Sequence, residues 1–533
     1  MVKISGGSGI GMTKKVILRD LAWITPASLI LGALLSLLDS GTWWIGWLAY
    51  SLIGILGLLA VTALWRWTGS SRTLGLILLL ALFLRLGLGV ALTEVLPVYG
   101  HVSDVDQAGY VFRDAYNRDS QAWTLASSSD SILKAFDKSY STDQYGGLLF
   151  LYSILYRMLS PDHHRPWLVV LFGVLTSVMG VAIAWKIAWK MGGEVLAKPT
   201  AWIMALYPEA ILMAASEMRE PYLMTFISMS FWGVLEWQAE HQRRGWVWIA
   251  GGLAGLLLFN PAVAVFALVG IGGWSLLRGT QLKISWRMAL IGTGVTAVAL
   301  VLTWLGLARG PFAGKSLPEV LGNWLQLSAN WDTYLLQQGS GWIELIFTHL
   351  PVPLHIPFAV GYGLTQPVLP AALADPTVWP WKVIAIFRAV GWYALVPFFI
   401  GGLLSVWKIT DRFERRALIW LWFISFVWIV VSSYRAGGDQ WDNPRYRVIF
   451  LLWQAVLAAH TWVWWRRTYN PWLGRILAVE GVFLIFFGEW YFSRYVGIFP
   501  PIPFGWMLAS IAGISMLIAV GGWFWDRAQR KRG

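Results

Sequence analysis

Apolar residues in this chain come in runs of about twenty, separated by short polar or basic clusters. A helix of about 20 apolar residues spans the ~30 Å hydrocarbon core of a bilayer. The pattern predicts spans at roughly 20–38, 42–66, 74–96, 166–189, 197–215, 221–237, 245–258, 261–277, 288–308, 383–407, 417–434, 446–464, 475–495 and 505–525. Sustained ten-residue alternation, the mark of a membrane barrel, is absent. The expected fold class is therefore an all-α polytopic membrane protein with about fourteen transmembrane helices.

One run, residues 145–160, is short for a span. Topology decides how to read it. If it does not cross, the basic clusters at Lys14/Lys15/Arg19, Lys186/Lys190/Lys198, Arg243/Arg244, Arg278/Lys283/Arg287, Arg412/Arg415/Arg416, Arg466/Arg467/Arg475 and the tail RAQRKRG share one side. That satisfies the positive-inside rule, and a crossing would break it for every later loop. The segment is therefore expected along the interface, with Tyr145, Tyr152, Tyr156 and Arg157 toward water. Both termini are expected in the cytoplasm.

The outer face then carries two long loops, 97–165 and 309–382, and short ones at 216–220 and 435–445. Nine prolines in the second long loop argue against a regular span there and predict short capping helices and re-entrant pieces. Five parts follow: a cytoplasmic start (1–19), an added hairpin (20–66), a core (67–465), a C-terminal hairpin (466–525) and a basic tail (526–533). The Gly/Ser-rich stretch 1–11 reads as an expression scar, with Met12 as the native start. No convincing internal repeat or cleavable signal is visible.

Composition agrees with the pattern. The chain is 57% hydrophobic and 13% charged, with mean hydropathy +0.58, against the ~25% charge of a soluble domain. The 38 Trp, including Trp43, Trp44, Trp65, Trp464 and Trp465, read as an aromatic belt at the headgroups. The net charge of +13 is explained by loop topology rather than by nucleic acid. The absence of cysteine removes disulfides, thiolate metal sites and a cysteine nucleophile. His163/His164 and His349/His355 lack a metal-ligand pattern and read as ordinary surface or interface histidines.

Candidate chemistry gathers in the outer loops. HVSDVDQAGYVFRDAY (101–116) holds Asp104 and Asp106, SEMREPY (216–222) holds Glu217, Arg219 and Glu220, and RAGGDQWDNPRYR (435–447) holds Arg435, Asp439, Asp442, Arg445, Tyr446 and Arg447. Brought together, such groups suit transfer from a phosphate-linked donor. A carboxylate takes the proton of an acceptor hydroxyl, and arginines hold the leaving phosphate. Asp104 and Asp106 are also the candidate ligands for Mg2+ or Mn2+. Each group has a plainer reading too: a helix N-cap at Asp104/Asp106, an ion pair at 217–220, and a helix-opening turn at Asp442-Asn443-Pro444. Arg85, alone inside the span 74–96, either snorkels, pairs, or serves the site.

The order FLRLGLG, DVDQAGY, an interfacial helix, SEMRE at a hairpin turn and DNPRYRVIFLLWQAVLAAH resembles GT-C membrane glycosyltransferases. The branch is that of the protein O-mannosyltransferases and the lipid A aminoarabinose transferase, a family 39-like group. The resemblance covers about 74–465. It implies a GT-C bundle with helical outer loops and a polyprenyl-phosphate sugar donor. It also implies a catalytic Asp in the first outer loop, which is Asp106 here by its spacing to Tyr110. Gln107 stands where Glu is usual in the family, which leaves Asp104 as the candidate second carboxylate. Arg445 and Tyr446 match the family's late Arg-Tyr pair.

The expectation is a glycosyltransferase of a prokaryotic plasma membrane. It moves a sugar from a polyprenyl-phosphate donor to a glycan, lipid or protein acceptor at the outer face, with inversion. Asp106 is the expected base and Asp104 its helper. Arg219, Arg435, Arg445, Tyr446, Arg447 and Arg85 are the expected phosphate and substrate binders, with Glu217 and Glu220 as supporting carboxylates. An O-antigen-type polymerase or ligase, a transporter or flippase, and an envelope scaffold are the alternatives.

Overall fold

A computed structural model describes residues 14–240, 243–278, 286–307, 316–337 and 341–532. The stretch 1–13, Lys283 and residues 309–315 of the Pro-rich loop lie outside it. The described residues contain helices and no strands. The chain runs α1 (Lys14–Leu37), α2 (Trp43–Trp67), α3 (Arg72–Tyr99), α4 (Asp104–Gln107), α5 (Arg113–Ser127), α6 (Gly147–Leu159), α7 (Pro166–Leu206) and α8 (Pro208–Ala214). It continues through α9 (Glu220–Glu240), α10 (Arg243–Phe259), α11 (Pro261–Leu277), α12 (Trp286–Leu307), α13 (Leu317–Gln337), α14 (Gly341–His349), α15 (His355–Thr365) and α16 (Leu369–Ala374). It ends with α17 (Trp379–Val406), α18 (Arg412–Ala436), α19 (Asp442–Arg447), α20 (Leu451–Thr468), α21 (Pro471–Tyr491), α22 (Phe504–Met516) and α23 (Gly522–Arg532).

Among the described residues, nine helices are long and apolar enough to cross a membrane, and four more apolar helices are shorter. This is an integral membrane protein by that measure. Local signals set the boundaries. Pro166, Pro261 and Pro471 open α7, α11 and α21, where a missing N–H leaves no bond unmade. Asn260 and Asp411 cap α11 and α18 through their side chains.

The longest helix corrects one expectation. α7 is 41 residues long but breaks at Gly192 and Gly193, where Gly193 takes φ +70°. That break separates the expected spans 166–189 and 197–215. The second ends earlier than expected, because Tyr207 turns extended before Pro208, which restarts the chain as α8. Among the described residues, the loop 309–382 forms the 21-residue α13, longer than the expected short pieces but not apolar enough to count as a span, and then the short helices α14–α16.

α7 is the centre of the bundle, packed against α2, α3, α9 and α20. Its most apolar window is 89% buried, against 11% and 6% for the windows of the last two spanning helices. Those two therefore show their apolar faces outward, which suits lipid contact. Tryptophan plays two roles. Trp43 and Trp44 are exposed, as a belt requires, but Trp185, Trp274 and Trp453 are fully buried. Others tie helices together through their indole N–H, as Trp420 does to Gly270 O at 2.9 Å and Trp428 to Tyr446 O at 2.9 Å.

α6 corrects a second expectation. Tyr152 and Tyr156, expected toward water, are 1% and 0% exposed. Their face packs against α5, where Tyr156 donates to Asp119. Arg157 donates to Leu125 O, Ala126 O and Ser128 O, closing the carbonyl end of α5. A partner helix outside the bundle core supplied what water was expected to supply.

Candidate functional site

Arg445 is the point where three separate segments meet. Its side chain is 3% exposed, and each guanidinium nitrogen faces a different carboxylate. Nε donates to Glu220 at the start of α9, Nη1 to Asp442 at the start of α19, and Nη2 to Asp114 in the first turn of α5, each at 3.0 Å. Asp442 also accepts from Tyr446 Oη at 3.1 Å. The loops 97–165, 216–220 and 435–445 are thus brought to one end of the bundle. The helical turn α19 starts at Asp442, with Pro444 as its third residue rather than its first, and its three-residue spacing sets Asp442 and Arg445 on one face.

Three further arginines surround this hub. Arg118 and Arg219 lie within electrostatic reach of Asp114, and Arg219 and Arg435 within that of Tyr145. Arg435 stands over the Tyr446 ring at 4.4 Å. Among the described residues, neither Arg219 nor Arg435 has a carboxylate partner, and Arg118 has only Asp143 at 3.9 Å. Arg118 and Arg219 are 2% and 6% exposed, yet Arg118 Nε and Nη1 and Arg219 Nε make no hydrogen bond. A buried guanidinium without an anion is costly, so this arrangement is suited to receiving one.

Asp114 is where the cluster opens to solvent, at 55% side-chain exposure. Burial pulls its pKa up, but the charges of Arg445, Arg118 and Arg219 and the hydrogen bond from Arg445 outweigh that. They hold the carboxyl below its ordinary value. It is ionised at neutral pH and reachable from outside.

Asp106 sits nearby in a different state. It is 4% exposed, and both oxygens accept hydrogen bonds. Ser103 Oγ donates at 2.9 Å, the His101 N–H at 2.6 Å and Trp381 Nε1 at 2.7 Å. Ser103 in turn accepts from the Asp106 N–H, a reciprocal cap at the start of α4. Trp381 meets Trp441 edge-on at 4.8 Å, and Trp441 directly precedes Asp442. One indole pair therefore links Asp106 to the Arg445 cluster. Asp104 is exposed. Among the described residues no three His, Asp or Glu side chains converge as a metal set, the Asp104/Asp106 pair included. The residues present do not fit the expected Mg2+ or Mn2+, and no step is routed through one.

No known protein family matches this sequence, and no curated protein does.

The chemistry is therefore read from the residues. The structure brings together Arg219, Glu220, Arg435, Arg445 and Tyr446 of those singled out in the sequence. Arg85 and Arg447 lie elsewhere. Arg85, fully buried in α3, donates to Ser177 Oγ, Ala81 O, Met204 O and Ala205 O at 2.8–3.2 Å. Two of those are carbonyls of the last turn of α7, which lack helical partners. Arg447 lies about 200° around α19 from Arg445 by helix geometry. It stacks on Trp392 at 3.3 Å and donates to Gln366 O at 2.7 Å.

Sequence reading passed over Asp114, Arg118 and a buried pair. Asp114 stands in the highlighted motif as FRDAY, and Arg118 follows at i+4 on the same helical face. The pair is Arg388–Glu209, bonded through two nitrogens at 2.6 and 2.9 Å, with Arg388 also donating to Trp441 O at 2.6 Å. Arg388 inside an apolar span was its one signal. Glu217 does not join the arginines. It lines a separate pocket with His163 and His164, which sequence reading took for ordinary surface or interface residues.

Proposed function

We propose that this protein is a membrane glycosyltransferase of GT-C type, with about fourteen spans and both termini cytoplasmic. It transfers a sugar from a polyprenyl-phosphate donor at the outer face of a prokaryotic plasma membrane. The observation that carries the reading is the set of buried arginines, Arg118 and Arg219 above all, with N–H donors that make no hydrogen bond beside the exposed carboxylate Asp114. A phosphate monoanion or diester meets those donors with charge-assisted bonds. The resemblance described above points the same way.

In the proposed reaction the acceptor oxygen attacks the anomeric carbon as its proton passes to a carboxylate. The C1–O bond to phosphate breaks, and its electron pair leaves on the phosphate oxygen. The arginines stabilise that charge as it develops, so no strong acid is needed. Direct displacement inverts the anomeric centre. Two carboxylates compete for the base. The resemblance favours Asp106, and the geometry favours Asp114, because Asp106 has both oxygens held by three donors while Asp114 faces solvent.

An apolar groove supports a lipid-borne donor. A cavity of about 470 Å3 runs between α17, α18 and α21, lined by Trp392, Val396, Phe399, Trp422 and Phe483. Its upper wall, Trp392, also stacks on Arg447.

The test is transfer from a panel of radiolabelled polyprenyl-phosphate sugars by the purified protein and three variants. Wild type is expected to transfer, and Arg219→Gln to lose about 100-fold or more. A similar loss in Asp114→Asn, with a smaller one in Asp106→Asn, would assign the base to Asp114. The reverse order would return it to Asp106. Full transfer by Arg219→Gln would overturn the phosphate site.

A further inference from the structure

A second polar pocket lies on the other side of the 216–220 turn. Asp39, Ser40, Tyr110, His163, His164 and Glu217 line it, and its volume is about 210 Å3. Five parts of the chain build it: the α1–α2 connection, α3 at Thr93, the turn after α4, the approach to and start of α7, and the α8–α9 turn. Gly109 closes one wall. Its φ is +80°, and a Cβ there would lie 2.9 Å from Thr93 O, so the turn reaches α3 only with glycine.

Most polar groups around the pocket are already matched. Buried Asp119 accepts from Tyr110 Oη at 2.6 Å and from Tyr156, and His164 Nε2 lies 2.8 Å away. Asp39 accepts from Tyr50, with Arg165 Nε at 3.7 Å. His163 Nε2 meets Ser40 Oγ at 2.9 Å. His164 Nε2 makes no hydrogen bond despite its approach to Asp119, and Glu217 is matched least of all. It is 8% exposed, and among the described residues its carboxyl makes no hydrogen bond or ion pair while lining the cavity. Its backbone takes φ +46°, a left-handed conformation that costs a non-glycine residue about 1 kcal/mol or more. The fold thus holds a strained, buried, unpartnered polar group in the wall of a pocket that opens past Ser40 and Ala108.

The size and lining select the ligand. The volume equals about seven waters' share of liquid at ~30 Å3 each, below the ~300 Å3 at which sites for larger ligands begin. One ring fits. Asp119 does not line the pocket, and Asp39 is held by Tyr50 with Arg165 close by, so neither turns a free carboxylate into it to demand a cation. Burial and the charge of Asp119 keep the Glu217 carboxyl protonated, and in that form it both donates and accepts. Hydroxyl and imidazole groups beside it do the same. Trp167, 4% exposed, gives an apolar wall for ring carbons.

We propose that this pocket binds a single neutral, hydroxyl-bearing ring, one monosaccharide unit, with Glu217 as its principal hydrogen-bonding group. The proposal rests on the transfer reading and extends it. The turn 216–220 places the sugar on its Glu217 side and the phosphate on its Arg219 side. It also gives the added α1–α2 hairpin a role, since Asp39 and Ser40 form part of the sugar's wall.

The test is saturation-transfer NMR of free neutral hexoses against the purified full-length protein. Wild type is expected to transfer saturation to the ring protons of at least one hexose. Glu217→Ala and the pocket-filling Ala108→Trp are each expected to weaken that signal at least tenfold, and Arg219→Gln to keep it. Glu217→Gln, which preserves shape and hydrogen bonding, is expected to retain most of it and controls for folding. The proposal fails if no neutral hexose binds wild type, if Ala108→Trp binds as wild type does, or if only an amino sugar binds. Hexose binding without transfer from any donor would sink the transferase reading and leave the sugar pocket standing. Transfer by wild type with hexose binding unaltered in both pocket variants would do the opposite.

Discussion

At the residue scale, burial separates carboxyls of similar sequence context. Asp114 and Glu217 both stand in polar loop motifs, yet arginines surround the first, while the second is buried within reach of the Asp119 charge. Asp114 stays ionised, with its pKa held below the ordinary value by its neighbours. Glu217 goes the other way: desolvation, then the charge of Asp119, raises its pKa well above the ordinary 4.5. The folded protein therefore holds the Glu217 proton more tightly than the unfolded chain does. Its contribution to stability is complete below about pH 4.5 and declines as pH rises toward the folded value. Glu217→Gln removes that dependence. Melting of the purified protein should show the variant gaining a few degrees on wild type at pH 8 and none near pH 4. A constant difference across that range would show that Glu217 does not titrate with folding.

At the element scale, buried arginines act as ties between helices. Arg85 fastens α3 to the end of α7, and Arg388 fastens α17 to α8 through Glu209. Arg445 joins α5, α9 and α19, although only its Glu220 leg is fully buried; Asp442 and Asp114 remain 35% and 55% exposed. Most of the energetic weight of that hub therefore falls on Glu220. Arg85→Leu leaves the carbonyls of Met204 and Ala205 without donors inside the bundle. It is expected to destabilise the protein by about 1–3 kcal/mol, read as a lower melting temperature. Because Arg85 does not touch the Arg445 cluster, donor KM at low temperature should stay within about threefold of wild type. A large rise in KM without loss of stability would return Arg85 to the substrate site.

At the scale of the whole molecule, the apolar groove and the second polar pocket are built from different helices, α17, α18 and α21 for the groove and α3 and α7 with their flanking turns for the pocket. The groove borders α17 and α21, and the Arg445 cluster connects to α17 through Trp441 and Trp381. A photoreactive polyprenyl phosphate is expected to label groove residues such as Val396 and Phe483, with unlabelled donor competing. Mass spectrometry of the labelled peptides checks this. Labelling confined to the outward faces of α22 and α23 would place the lipid elsewhere.

The order of helices was legible because a bilayer-length apolar run is a local property, repeated along the chain. The starts of α7 and α11 were legible, because a proline at the first turn acts locally, whereas α21 starts at Pro471, four residues before the expected 475. The three loops that carry the charged cluster were legible as concentrations of charge in an apolar chain. Tertiary structure decided the rest. Arg445 and Arg447 are two residues apart, and only the packing around α19 sends one to carboxylates and the other onto Trp392. Asp106 and Asp114 share one motif, and the arrival of Trp381 from α17 adds to the local donors His101 and Ser103 on the first while the second stays open. Tyr152 and Tyr156 looked like interface residues until α5 covered them. Hydropathy and helix signals act over a few residues and survive in the sequence. Which charges meet depends on contacts hundreds of residues apart, and those arise only when the helices pack.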